Sequence, residues 1–176
     1  MPSEIAPRAR AAVRRVLATL ATAAAGGALL AGCSGGTVSL QPAAAANDPA
    51  CAAVSVRLPE TVADQPRRDT DAQATAAWGD PASILLRCGI DPIGPTTLPC
   101  TTVNGVDWVA DDSQAPLYRF ISYGRVPTVE VVIDGDASVS SSSALVDLAL
   151  AVETLPVERA CTSATDMELD EEPDAG

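Results

Sequence analysis

Apolar positions fall into three regimes along this chain. Residues 16–30 form an uncharged run rich in Ala and Leu, preceded by Arg8, Arg10, Arg14 and Arg15. Residues 34–48 are mostly Gly, Ala and Ser, with no period. From residue 49 short apolar runs alternate with turn residues. Asp48-Pro49 reads as an N-cap with Pro at the first helical position. Cys51, Val54 and Leu58 recur at helical spacing, and Pro59 ends that helix. Asp71 is placed to cap a second short helix ending near Trp78, with Gly79 as its stop.

Strand patterns follow. Ile84-Leu85-Leu86-Arg87-Cys88 is short, apolar and bounded by Pro81 and Gly89. Residues 91–99 hold three Pro and a Gly, a loop. Asn104-Gly105 separates two strand-like runs, which signals a tight turn. A bulge or bend within one longer strand is the alternative. Residues 117–123 form another strand, Gly124-Arg125 turns it, and 128–133 returns with Val129, Val131 and Ile133 on one face. Ser140 to Ser143 cap a last helix whose stripe is Leu145, Leu148, Val152 and Leu155, with Pro156 as its stop. This order predicts an α+β domain: a small antiparallel sheet of three or four strands, helices packed on one face, stapled by disulfides. It spans residues 49–161, enough chain for one core. Residues 162–176 carry six acids and few apolar groups, the composition of a disordered tail.

The N-terminal run ends in Leu30-Ala31-Gly32-Cys33. Basic residues, a weakly apolar stretch and a small-residue site make a signal peptide over residues 1–32. The ending resembles the lipobox of bacterial lipoproteins, in which the Cys is acylated and becomes the mature N-terminus. Several acyl chains anchor stably where one does not. Residues 33–48 then read as lipidated Cys and flexible tether. An uncleaved membrane helix would need a more apolar stretch than this Ala- and Gly-rich one. Cleavage in the Ala43–Ala46 run would leave a soluble protein. Arg14-Arg15 hints at twin-arginine export but lacks the usual flanks, so general secretion is the default. The expected location is the extracytoplasmic face of the cell membrane.

Charge narrows the partners. Seven of the 11 basic residues and 22 of the 23 acidic ones follow Gly32, a formal charge of −15 for that part. Such a domain is not built to hold nucleic acid phosphates, and anionic headgroups repel it, so attachment falls to the acyl chains. There is no His and no Lys. That excludes a Ser-His-Asp triad, a His metal site and a Schiff-base Lys. No metal and no cofactor is expected. Cys51, Cys88, Cys100 and Cys161 remain besides Cys33. In an exported chain they suggest two disulfides, with three possible connectivities. A four-Cys zinc site is the rival, but no C-x-x-C spacing exists.

A series of short motifs occurs in order: Cys51 with Leu58-Pro59, Ala77-Trp78-Gly79, Leu86-Arg87-Cys88-Gly89, Val103-Asn104-Gly105-Val106-Asp107-Trp108, Tyr123-Gly124-Arg125, Val129-Glu130-Val131 and Leu145-Val146-Asp147-Leu148. Together they resemble the domain-of-unknown-function 3515 family, exported or membrane-anchored proteins of high-GC Gram-positive bacteria with no established activity. The resemblance implies a Cys51–Cys88 bond, with Cys100–Cys161 as an added bridge. It implies no catalytic residue.

Candidate sites come from the charged members of those motifs: Arg87, Asp107, Arg125, Glu130 and Asp147. They could converge on a ligand, or tie strands and helix together as ion pairs. Trp78 and Trp108 could form a stacking platform for glycan or peptide if exposed, or anchor the core if buried. Asp134-Gly135-Asp136 and Asp111-Asp112-Ser113 read as solvated turns more readily than calcium loops, since neither has EF-hand spacing. The expected function is a lipid-anchored, non-catalytic binding or assembly module of the cell envelope, with an envelope protein or glycan as partner. The alternative is a carboxylate-based envelope hydrolase using Asp107 and Glu130.

The lipobox makes one expectation sharp. Cys33→Ala should abolish acylation, leaving the precursor uncleaved or cut elsewhere. Unchanged maturation and membrane fractionation of that variant would refute the lipoprotein reading.

Overall fold

The computed structural model describes residues 36–162. The segment read as a signal peptide, Cys33, and the acidic stretch read as a tail lie outside them. The chain divides into two units, Met1–Gly36 and Thr37–Gly176, and every described strand and helix belongs to the second. Its strands are β1 (Thr61–Val62), β2 (Gln65–Arg68), β3 (Thr75–Trp78), β4 (Ile84–Ile90), β5 (Cys100–Val103), β6 (Val106–Gln114), β7 (Leu117–Ser122) and β8 (Thr128–Asp134). Two helices, α1 (Pro49–Ser55) and α2 (Ser141–Val152), complete it.

All eight strands form one antiparallel sheet in the order β1-β2-β3-β4-β8-β7-β6-β5. This corrects the expected sheet of three or four strands. Among the described residues the domain is mostly sheet, with only two short α-helices. The residues expected to be a helix near Trp78 are β3, buried along its whole length and paired with β4. Ala-rich sequence favours helix locally, but burial between β2 and β4 outweighs a propensity worth tenths of a kcal/mol per residue. β1 and β2 were hidden in polar sequence. They are joined by Ala63 and Asp64, both at positive φ, the geometry of a two-residue hairpin turn. The Asn104-Gly105 turn, by contrast, does join two strands, β5 and β6.

Period-2 alternation gives the central strands two faces. Ile84, Leu86 and Cys88 of β4, with Val129, Val131 and Ile133 of β8, enter one core with Val54 of α1 and Leu145, Leu148 and Val152 of α2. Trp78 and Trp108 are fully buried there, and Trp78 Nε1 donates to the Pro59 carbonyl at 3.1 Å. Neither tryptophan offers a stacking platform. The opposite face carries Leu85 and Arg87 of β4, and Glu130 and Val132 of β8.

Helix ends obey local chemistry. Asp48 accepts from the Ala50 amide and Pro49 opens α1. Ser140 accepts from the Ser143 amide and opens α2. α2 stops at Val152, so Leu155 is buried beyond its end.

Both chain ends of the domain are tied down. Cys51 bonds Cys88, joining α1 to β4, and Cys100 bonds Cys161, joining the β5 edge to the C-terminal segment. Loops of 37 and 61 residues predict roughly 4 kcal/mol of stabilisation from each bridge. The stretch read as a free tether is a strap from residue 38 to 46. Val38 bridges Thr70 and its amide donates to the Asp69 carbonyl, while the Ala45 amide donates to Gly89. Gly89, at φ +94°, makes this possible: a Cβ there would lie 2.4 Å from the Ala45 carbonyl carbon. At the other end, the Gly124 carbonyl accepts from the amides of Glu158 and Arg159.

Candidate functional site

The open face of the sheet holds a row of charges running across three strands. In register, Arg87 of β4 is opposite Glu130 of β8. Arg119 lies on the neighbouring β7, opposite Val132 and diagonal to Glu130. Arg87 donates through Nε to Glu130 Oε2 at 2.7 Å, and its Nη2 reaches the same oxygen. Arg119 Nε donates to the other oxygen, Oε1. Glu130 is only 3% exposed, whereas the Arg87 and Arg119 side chains are 36% and 35% exposed. One buried carboxylate therefore holds two half-exposed guanidiniums by charge-assisted hydrogen bonds. Asp111 of β6 extends the row, 3.9 Å from Arg119 Nη1. The hydroxyl and amide of Ser113 hold the Asp111 carboxyl below its ordinary value, with the Arg119 charge helping.

This row floors a groove of about 590 Å³. Its walls are Leu85, Leu117 and Val132, with Ser113 and Gln114 at the β6 end. Ser39, Leu40 and Gln41 of the strap close one side. Asp71 fixes the strap: its Oδ1 accepts from the Leu40 amide at 2.8 Å. That bond, with a second from the Ser39 hydroxyl, holds the Asp71 carboxyl below its ordinary value against a small desolvation effect.

Of the five charged candidates, the fold brings only Arg87 and Glu130 into the groove. Asp107 is on β6, with β7 between it and β8. It does not line the groove. It accepts from the Thr102 hydroxyl at 2.6 Å and from the Cys161 amide at 2.8 Å, so it positions the C-terminal bridge. A pair of facing carboxyls at Asp107 and Glu130 is not assembled, and Glu130 has committed both oxygens to arginine. Arg125 is 5% exposed. Its guanidinium donates to the carbonyls of Glu153, Leu155 and Gly105, tying the end of α2 to the β5–β6 turn. Burial pulls its pKa down, opposed by the charges of Asp107 and Glu153. Asp147 of α2 accepts from the Ala63 amide and latches the β1–β2 turn. Asp134 accepts from the Asp136 amide and caps a single 3-10 turn.

Sequence reasoning missed Arg119 and the strap. The signal for Arg119 was present. Leu86-Arg87-Cys88, Tyr118-Arg119-Phe120 and Val129-Glu130-Val131 each place one charge between apolar neighbours in a strand. Alternation puts such a charge on the face away from the core, and complementary signs on three strands invite pairing.

Fold and groove together define a disulfide-stapled, single-sheet domain with a paired-arginine groove on its open face. The chain belongs to the family described as protein of unknown function (DUF3515), whose model matches residues 9–160. No curated protein and no solved structure matches the chain.

Two outcomes test this site. Replacing both guanidiniums, as in R87M/R119M, should cost about 3–5 kcal/mol in urea unfolding, because the Glu130 charge stays buried without partners. Adding Glu130→Met should restore most of that loss. A double variant as stable as wild type would show that the row is not the site's support. The strap latch should depend on pH. Since the folded Asp71 carboxyl sits below its unfolded value, the latch contributes fully above about pH 4. It is lost as pH falls through the lowered folded value. The Leu40 amide resonance should report that step, with a midpoint below 3.8, and Asp71→Ala should remove it. A midpoint at or above 3.8 would contradict the latch.

Proposed function

We infer that this protein is a lipid-anchored extracytoplasmic binding module of the cell envelope, and that the groove between strap and sheet is its binding site. The observation that carries the reading is the groove floor. Two partly exposed arginines, oriented by a buried carboxylate, meet apolar walls in a cavity of a size suited to small ligands or a partner's side chains. The anchoring half rests on the lipobox. Pairing of the strap begins at Val38, only five residues after Cys33. Acylation of Cys33 would tether the strap by at most about 18 Å of extended chain. The groove would then work close to the membrane surface, where its ligand or partner is to be sought.

A photo-crosslinking residue at Gln114, on the groove rim, should capture a discrete adduct in native membranes. The same residue at the exposed Val157 should not. Equal capture from both positions, or none from Gln114, would sink the binding-groove reading.

A further inference from the structure

The donor arithmetic of the groove floor points to a ligand class. Glu130 spends both oxygens on arginine, and so orients the two guanidiniums rather than meeting a ligand. Arg87 uses Nε and Nη2, and Arg119 uses Nε, with Nη1 near Asp111. Arg87 Nη1 and Arg119 Nη2 take part in no hydrogen bond among the described residues. Both side chains line the groove and are about one-third exposed. Two sets of spare N–H donors therefore border one cavity.

The charge balance limits what they can hold. Two guanidiniums against Glu130 and Asp111, the latter 3.9 Å from Arg119 Nη1, leave the row with no net charge. A monoanion on the spare donors leaves the groove with one charge in excess, whereas a dianionic phosphate monoester would leave two, in a domain already strongly acidic. A carboxylate also matches the planar fork of a guanidinium. Beside the charges, Leu40, Leu85, Leu117 and Val132 supply apolar wall. Among the described residues no aromatic side chain lines the groove, which takes away the stacking surface a sugar ring would use.

We propose that the groove binds a single-chain amphiphile with a carboxylate head, Arg87 and Arg119 gripping the carboxylate and the leucine and valine walls taking the chain. This rests on the groove being the binding site. The ligand is a fatty-acid-like or N-acyl-amino-acid-like monoanion. No covalent step is involved.

The test uses the mature anchored protein in phosphatidylcholine nanodiscs, with sodium octanoate as probe. The Nε resonances of Arg87 and Arg119 should shift saturably, at one octanoate per chain. Acetate, lacking the chain, and octyltrimethylammonium, lacking the anion, should bind at least about tenfold more weakly, the loss expected from one good interaction. R87K/R119K keeps the charge but removes the fork, and should weaken octanoate by about tenfold. R87M/R119M/E130M removes the Arg–Glu–Arg cluster without stranding a buried charge, Asp111 keeping its bond from the Ser113 amide, and should lose octanoate-induced thermal stabilisation while remaining folded. Octanoate binding unchanged in that triple variant would overturn the proposal. So would equal binding of the cationic amphiphile, or preferential shifts with inorganic phosphate or phosphatidylglycerol nanodiscs. If octanoate fails while the Gln114 crosslink persists, the ligand class is wrong and the groove stands. If both fail, the groove itself is not a binding site.

Discussion

A carboxylate buried near the middle of an eight-stranded sheet sets the terms for everything around it. Glu130 is tolerable there only because both oxygens accept from guanidiniums, since an unpaired buried charge is far too costly to keep. Those guanidiniums arrive from the strands on either side, β4 and β7. A one-residue slip of β8 against either neighbour would turn Glu130 toward the core that holds Leu86 and Trp108, and turn Val129 and Val131 onto the polar face. The ionic row and the apolar core therefore favour the same register from opposite sides of the sheet.

The two chain ends act on this frame differently. The N-terminal strap borders the groove and is held by backbone contacts at Thr70 and Gly89 and by the Asp71 carboxylate. The C-terminal segment is held by Gly124, by Asp107 through the Cys161 amide, and by the Cys100–Cys161 bridge. Arg125 then locks the end of α2 from below with three carbonyl acceptors. These residues looked like ligand groups because they are the charged members of the motifs that carry the family resemblance. In the folded chain they reach main-chain atoms of distant segments. Asp107, Arg125 and Asp147 thus stabilise closure of the domain, and leave Arg87 and Glu130 to the groove.

How much of this was legible follows from where side-chain period was strong. β4 and β8 alternate or run apolar over seven residues, and α2 has a cap and a stripe, so their kind could be read. β1 to β3 could not. Gln65-Pro66-Arg67-Arg68 is polar throughout, and Thr75-Ala76-Ala77-Trp78 is buried on both faces, so neither alternates. The strap carried no signal because small residues serve a free tether and a close-docked segment equally well. Its docking depends on Gly89, more than forty residues away, and on Asp71, which local reading assigned to a helix cap. The groove inherits that blindness, being built from strap, β4, β6, β7 and β8 together.

The acidic surface gives the groove its selectivity as well as its setting. Of the seven arginines after Gly32, Arg67 and Arg68 pair with Glu60 and Asp80, and Arg125 is enclosed by carbonyls. Arg87 and Arg119 are the arginines that share an open cavity. The net negative charge of the domain repels a diffusing anion at long range, and that repulsion is weakened by salt beyond about 8–10 Å. Within the groove the low polarity of Leu85, Leu117 and Val132 strengthens the short-range attraction of the two guanidiniums. Long-range repulsion and short-range attraction together reject free, highly charged anions. They favour one whose single charge is brought close by apolar contact, the chemistry of a carboxylate-headed amphiphile.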